Sequence, residues 1–184
     1  MSQRYKIIDP QGVNFLTCTI VGWIDIFTRP VYKEIIMDSL SYCRKEKGLL
    51  LHGYVLMPNH LHMIASTEVG GNLSHILRDF KKYTSVEIKK YLNDYQNVES
   101  RREWMVSMFG MAGKDNAANK EFQLWKNDNH PIALYSNEVV LQKLEYLHNN
   151  PVRAGFVVLP EHWLYSSATN YAGLESVIEI DHLW

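Results

Sequence analysis

Residues 49–66 read LLLHGYVLMPNHLHMIAS, and this stretch decides the fold. Leu49–Met57 is an apolar run of strand length, Pro58-Asn59 supplies a turn, and His60–Ser66 returns as a second strand. The segment predicts a β-hairpin. On a strand, residues i and i+2 share a face, so His60 and His62 project together while Leu61 and Met63 point to the other side. Two neutral imidazoles on one face suit a divalent metal, and a pair of half-buried strand histidines satisfies the same pattern.

Upstream of the hairpin, Val13–Trp23 mixes β-branched and aromatic residues in near-alternation and predicts a strand. Pro30 opens a helix through Lys47, with Ile35, Ile36, Leu40 and Cys43 at helical spacing and Gly48 as its stop. Downstream, Gly70-Gly71 closes the hairpin. Leu73–Tyr95 is a long helix with Leu73, Ile76, Leu77, Phe80, Thr84, Ile88 and Tyr91 on one face. Residues 96–120 are polar, contain Gly110 and Gly113 and show no sustained period; they are expected as a long excursion within one domain spanning 1–184. Short strands are expected around Phe122–Trp125 and Ile132–Leu134. Asn137 is placed to cap a last helix running to about Asn149 and terminated by Pro151, and 152–184 forms an aromatic tail. The order strand, helix, strand, strand, helix, strand, helix predicts an α+β fold: a split βαβ unit with an antiparallel sheet and the first two helices on one face. The third helix is surplus to that core and free for another role.

Composition narrows the function. Nineteen Lys and Arg against 20 Asp and Glu leave a net charge of −1 over 184 residues, which excludes a protein that coats nucleic acid by bulk charge; an anionic partner must meet a local patch. Two cysteines, Cys18 and Cys43, cannot build a zinc cluster or a disulfide framework and are expected as buried apolar residues in a reducing compartment. Met1–Gln11 is polar rather than a targeting segment, and no apolar run reaches the roughly 18 residues of a membrane span. A soluble, cytoplasmic protein is expected.

On the last helix, Val140, Leu141, Leu144, Leu147 and His148 gather on one side, while Tyr146 and Asn150 lie together on the other, one turn apart. Such a tyrosine is either simply exposed or reserved for chemistry. The helix at 73–95 carries Arg78, Lys81, Lys82 and Lys89 off its apolar face, a stripe suited to phosphates or to plain solvation. Tyr83 is expected to pack at the edge of that helix's apolar stripe. Arg101-Arg102, Lys114 and Lys120 could add to a basic patch. There is no P-loop, GxGxxG, GxSxG or HExxH, and Ser166-Ser167 and Glu161-His162 have no companions at a diagnostic spacing.

Together these residues resemble a family. Residues 53–62, GYVLMPNHLH, look like the His-hydrophobic-His strand of the HUH endonucleases, and residues 146–155, YLHNNPVRAG, resemble the nucleophile segment of their single-tyrosine transposase branch. The likeness is greatest to the transposases associated with repetitive extragenic palindromes, and Trp125, Trp163, Tyr165, Ser166 and Ser167 fit that subgroup. The resemblance implies a ferredoxin-like core, with Tyr146 as the nucleophile on a C-terminal helix. It implies His60, His62 and Asn150 as ligands of Mg²⁺ or Mn²⁺, a donor set that suits a six-coordinate ion with positions open for phosphate oxygens better than it suits zinc. The implied substrate is single-stranded or hairpin DNA, cleaved and rejoined through a 5′-phosphotyrosine, with the basic helix holding backbone and Trp104, Trp125 or Trp163 stacking bases. A second copy of the chain is a further expected partner. Two other readings stay open: a catalytically silent, domesticated hairpin-binding protein, and a metal-dependent enzyme acting on a small substrate.

Overall fold

The computed structural model describes residues 7–114 and 121–183. Four strands, β1 (Asn14–Thr19), β2 (Leu49–Met57), β3 (His60–Thr67) and β4 (Ile132–Ala133), form one antiparallel sheet in the order β2-β3-β1-β4. This is the split βαβ order that the succession of elements predicted, and the ferredoxin-like core that the resemblance implied. α1 (Pro30–Lys47) and α2 (Leu73–Asn93) pack together on one face, where Leu16, Cys18, Leu61 and Met63 meet Ile36, Leu40, Phe80 and Ile88 in a fully apolar layer. Gly48 stops α1 as expected: its φ of 67° is the left-handed region that glycine enters freely, and its N–H returns to the Cys43 carbonyl.

The opposite face of the sheet is divided. Phe15, Val55, Met57 and Ile64 are covered by Val140, Leu144 and Leu147 of α4 (Asn137–His148), while Thr17, Thr19, His60 and His62 continue the same face beyond that apolar patch. The last helix is therefore not surplus to the core; it closes the second layer. Gly53 allows its approach, since a Cβ there would stand 2.8 Å from Leu144 Cδ1. Ser136 rather than Asn137 caps α4, accepting from the Val139 N–H. Pro151 ends α4 but sits in a further turn, α5 (Asn150–Arg153), because a proline in the first turn of a helix gives up no needed donor.

Three other expectations change. The first strand ends at Thr19, and 21–23 forms a 3₁₀ turn in which Gly22 and Trp23 take positive φ. Phe122–Trp125 is not a strand; Trp125 makes one isolated bridge to Ile20, and the chain from 124 to 134 follows the β1 edge with Pro131 and the polar 127–129 interrupting regular pairing. The excursion at 96–120 contains α3 (Arg102–Lys114), which buries Met105 and Phe109. Apolar residues on nearly every side of α3 (Trp104, Met105, Val106, Met108, Phe109, Met111) erase the periodic contrast that reveals a helix in sequence. Residues 115–120, with Lys120, lie outside the described residues. Ahead of α3, buried Glu99 accepts from Tyr32 Oη at 2.9 Å and pairs with Arg29 and Arg101, so these arginines secure a loop.

The tail is clipped to the other sheet edge. Asp181 takes a two-pronged bond from Arg44, accepts from the Leu51 N–H, and its own N–H donates to the Leu51 carbonyl. A short helix, α6 (Ala168–Tyr171), precedes it. Among the described residues no helix is long and apolar enough to cross a membrane.

Candidate nucleic-acid active site

His60 and His62 leave β3 on the divided face, opposite Thr19 and Thr17 of β1, with ring centroids 4.7 Å apart. Leu61 and Met63 enter the apolar layer on the other side, as the alternation required. Burial lowers the pKa of His60 to about 4 and of His62 to about 3, and His60 and Lys143 push His62 further in the same direction. Both rings are neutral near pH 7, the state a metal needs.

The tautomer of His60 follows from its neighbour. Asn59 Nδ2 donates to Asp25 Oδ1 at 2.7 Å and to the Trp23 carbonyl at 3.3 Å, so its Oδ1 is the atom facing His60 Nδ1 at 2.7 Å. An amide oxygen only accepts; His60 Nδ1 must carry the proton, leaving the Nε2 lone pair available. His62 Nδ1 meets Thr17 Oγ1 at 2.9 Å, a hydroxyl able to accept the same way. Among the described residues no group of three His, Cys, Asp or Glu surrounds an ion site. Two neutral imidazoles on one face can serve a divalent ion whose remaining positions are filled by water and phosphate oxygens.

Tyr146 stands over this face. Its ring is edge-on to His62, with centroids 5.8 Å apart, and 6.0 Å from Phe15. Leu144 and Leu147 of the same helix are buried beneath it, whereas Tyr146 is 38% exposed. Asn150 follows one turn later at the start of α5, partly exposed, and buried Pro151 fixes that turn. Two cations escaped the sequence reading. Lys143 Nζ lies 5.6 Å and Arg153 Cζ 5.4 Å from the centre of the Tyr146 ring, and neither ion-pairs with a carboxylate among the described residues. Lys143 precedes Tyr146 by three residues, so the helical rule for neighbouring side chains could have found it; Arg153 required the turn after Asn149. His148 is turned away, its Nε2 bonded to Ser167 Oγ at 2.8 Å, and Ser167 also spans the Tyr54 N–H and carbonyl.

The basic residues of α2 divide. Arg78, Lys82 and Lys89 line a cleft of about 870 Å³ between α2 and residues 121–129. Arg78 leans on Asp79, and Lys89 reaches Glu121. Lys81 also borders the cleft, but its ammonium donates to the Lys126 and Asp128 carbonyls at 2.7 and 3.1 Å, and burial lowers its pKa. Its charge braces the cleft wall. Tyr83 is exposed rather than packed, and its helix covers the apolar face, across the sheet from the histidines. Trp125 is buried against Phe27 and Phe80 with its N–H on Thr84, Trp163 stacks on Phe156, and Trp104 is half exposed on α3. Burial withdraws Trp125 from base stacking.

Comparisons with known proteins bear on the family and the fold. A family model described as transposase IS200 like matches residues 24–119, a span that holds both histidines and ends before Tyr146. The solved structure of a REP-associated tyrosine transposase bound to a REP hairpin is similar with a TM-score of 0.67 at 15% identity, over 100% of this chain and 94% of that one; this is a likeness of fold. A structure described as a transposase from Deinococcus radiodurans R1 gives a TM-score of 0.42 at 13% identity, over 81% of this chain and 97% of that one. No curated protein matches the chain.

Proposed function

Because the chain belongs to the IS200-like transposase family, we propose that it is a single-stranded DNA transesterase that cuts and rejoins strands beside hairpins, with Tyr146 as nucleophile. The observation that carries this reading is the phenol ring of Tyr146 standing 5.8 Å from His62, above the sheet face that holds both neutral imidazoles. Tyr83, the exposed tyrosine of α2 beside Lys81 and Lys82, is separated from that face by the sheet.

Tyr146 Oη bonds to the scissile phosphorus as the bond from phosphorus to the 3′ oxygen breaks. The phenol gives up its proton and the departing oxygen takes one, leaving a 3′-hydroxyl and a 5′-phosphotyrosine. That linkage keeps the phosphodiester energy, so another 3′-hydroxyl can reverse the step and join strands. Lys143 and Arg153 place positive charge beside the phenol, where the phosphate oxygens gather charge. His60, His62 and Asn150 are the residues that would hold Mg²⁺ or Mn²⁺, and the ion supplies polarisation of the phosphate. Asn59 keeps His60 turned with its lone pair toward the site. Arg78, Lys82 and Lys89 hold the backbone of the strand in the cleft.

Incubation of the full chain with end-labelled hairpin DNA bearing single-stranded flanks, in Mn²⁺, followed by a denaturing gel, tests the reading. A covalent protein–DNA band is expected; Tyr146→Phe should reduce it at least about 10³-fold with hairpin binding intact, and Tyr83→Phe should leave it unchanged. An undiminished band in Tyr146→Phe would remove the nucleophile from this helix. Binding without any covalent band in the wild type would favour the silent hairpin-binding reading.

A further inference from the structure

The basic cleft of α2 and the histidine pair lie on opposite sides of the sheet. A strand held by both must pass the sheet edge at the end of β1. We propose that Trp23 and Lys126 form a nucleotide-binding step at that crossing: one base stacks on the Trp23 ring and its phosphate pairs with the Lys126 ammonium. The proposal rests on the transesterase reading only for where the cut phosphate lies.

Trp23 is 55% exposed and has φ 56°, directly after Gly22 at φ 64°. A bulky residue in the left-handed region is disfavoured, and half of its ring surface gains nothing from burial. The backbone around it is nonetheless held in place: its N–H donates to the Ile20 carbonyl at 3.1 Å, and its carbonyl accepts from Asn59 Nδ2. The ring stands 5.9 Å from His60, edge-on. Asn59 thus fixes Trp23 and His60 with one amide, so a base on the tryptophan is held in register with the histidine site.

Lys126 supplies the second half. Its N–H donates to the Thr19 carbonyl at 2.8 Å and its carbonyl accepts from buried Lys81, so its main chain is held on both sides. Its ammonium lies 4.6 Å from the centre of the Trp23 ring, has no carboxylate partner among the described residues, and borders the α2 cleft. An exposed aromatic ring and a cation with no carboxylate partner, held beside each other, are the elements that bind single strands without regard to sequence. The wall of the cleft, Lys126, and the rim of the histidine site, Trp23, are therefore one continuous surface.

Fluorescein-labelled (dT)12 titrated against the full chain tests this. Trp23→Asn removes the ring but tolerates the left-handed backbone. It should weaken binding about 5–100-fold with the dependence on salt unchanged, while Trp23→Tyr keeps most of the affinity. Lys126→Gln should flatten the salt slope by about 0.7. Irradiating the wild-type complex with a strand carrying 5-iododeoxyuridine should attach it to Trp23, a readout that needs no variant to fold. Wild-type affinity in Trp23→Asn, or cross-links that map elsewhere, would overturn the proposal. Trp23-dependent binding by a protein that forms no Tyr146 adduct would retire the transesterase reading and leave this one standing. Equal binding and equal Tyr146 adduct in wild type and Trp23→Asn would do the reverse.

Discussion

The two faces of the sheet are made by the same strands and serve different ends. Toward α1 and α2, Leu16 and Cys18 of β1 and Leu61, Met63 and Ala65 of β3 are apolar and buried, and the layer holds the fold together. Toward α4, the sequence spends half the face on Phe15, Val55, Met57 and Ile64 and the other half on His60, His62, Thr17 and Thr19. Neutral imidazoles and hydroxyls on that half face add little stability for the area they cover. Adjacent residues of one strand thus carry stability and chemistry separately: Leu61 the first, His60 and His62 the second.

The sharpest way to break that contrast is to truncate neighbours. His60→Ala should cost under about 1 kcal/mol of stability and reduce adduct formation at least about 10²-fold, whereas Leu61→Ala should cost about 3 kcal/mol, with the folded fraction keeping its activity. Urea titration and the denaturing gel, run on both variants, decide it. A His60→Ala protein as unstable as Leu61→Ala would place the histidines in the core. One contact further out, Asn59→Ala frees the His60 tautomer and should weaken Mn²⁺ affinity about 10–100-fold by calorimetry, with little change in melting.

Acid should separate the faces as well. Burial holds His60, His62 and His148, all on the α4 side, near 4, 3 and 4. In the unfolded chain each titrates near 6.5, so at pH 8 neither state is protonated and the groups contribute nothing. As pH falls through 6.5 the unfolded state takes up protons that the folded state refuses, and stability is lost until the folded values are passed. On the order of 3–5 kcal/mol per histidine is at stake. Melting curves from pH 8 to 4 should show the fall, and His60→Ala should flatten it; an unchanged profile would contradict the burial of that ring. The smallest effect is expected at Gly53→Ala, where the one close approach of the added methyl is to the flexible end of Leu144: about 1 kcal/mol by urea titration, with α4 still seated.

Much of the fold was legible because its elements are patterned locally. The hairpin, α1 with Gly48, and the apolar stripe of α2 follow from period and punctuation alone. α3 was not, since its apolar residues surround the helix and Met105 and Phe109 matter only once α2 is packed against them. The surplus ascribed to the last helix failed for a related reason: its stripe was visible, but the patch it covers is assembled from β1, β2 and β3 together. Among the candidate site residues, the shared face of His60 and His62 was readable from alternation. Lys81 shared a stripe with Arg78, Lys82 and Lys89, but whether a lysine faces solvent or braces a loop depends on chain 45 residues away.

By itself the sequence determined that two histidines share one face of a hairpin strand, that Tyr146 lies off the apolar stripe of its helix, and that the sheet is a split βαβ. These follow from strand and helix periods, which act over a few residues. Only the tertiary structure decided that Tyr146 stands over His62, that Lys143 and Arg153 bracket its ring, and that Trp23 and Asn59 border the same site. Those meetings depend on how closely α4 settles on the sheet and how the chain turns after β1. Packing distances between elements remote in sequence set both, and no local period records them.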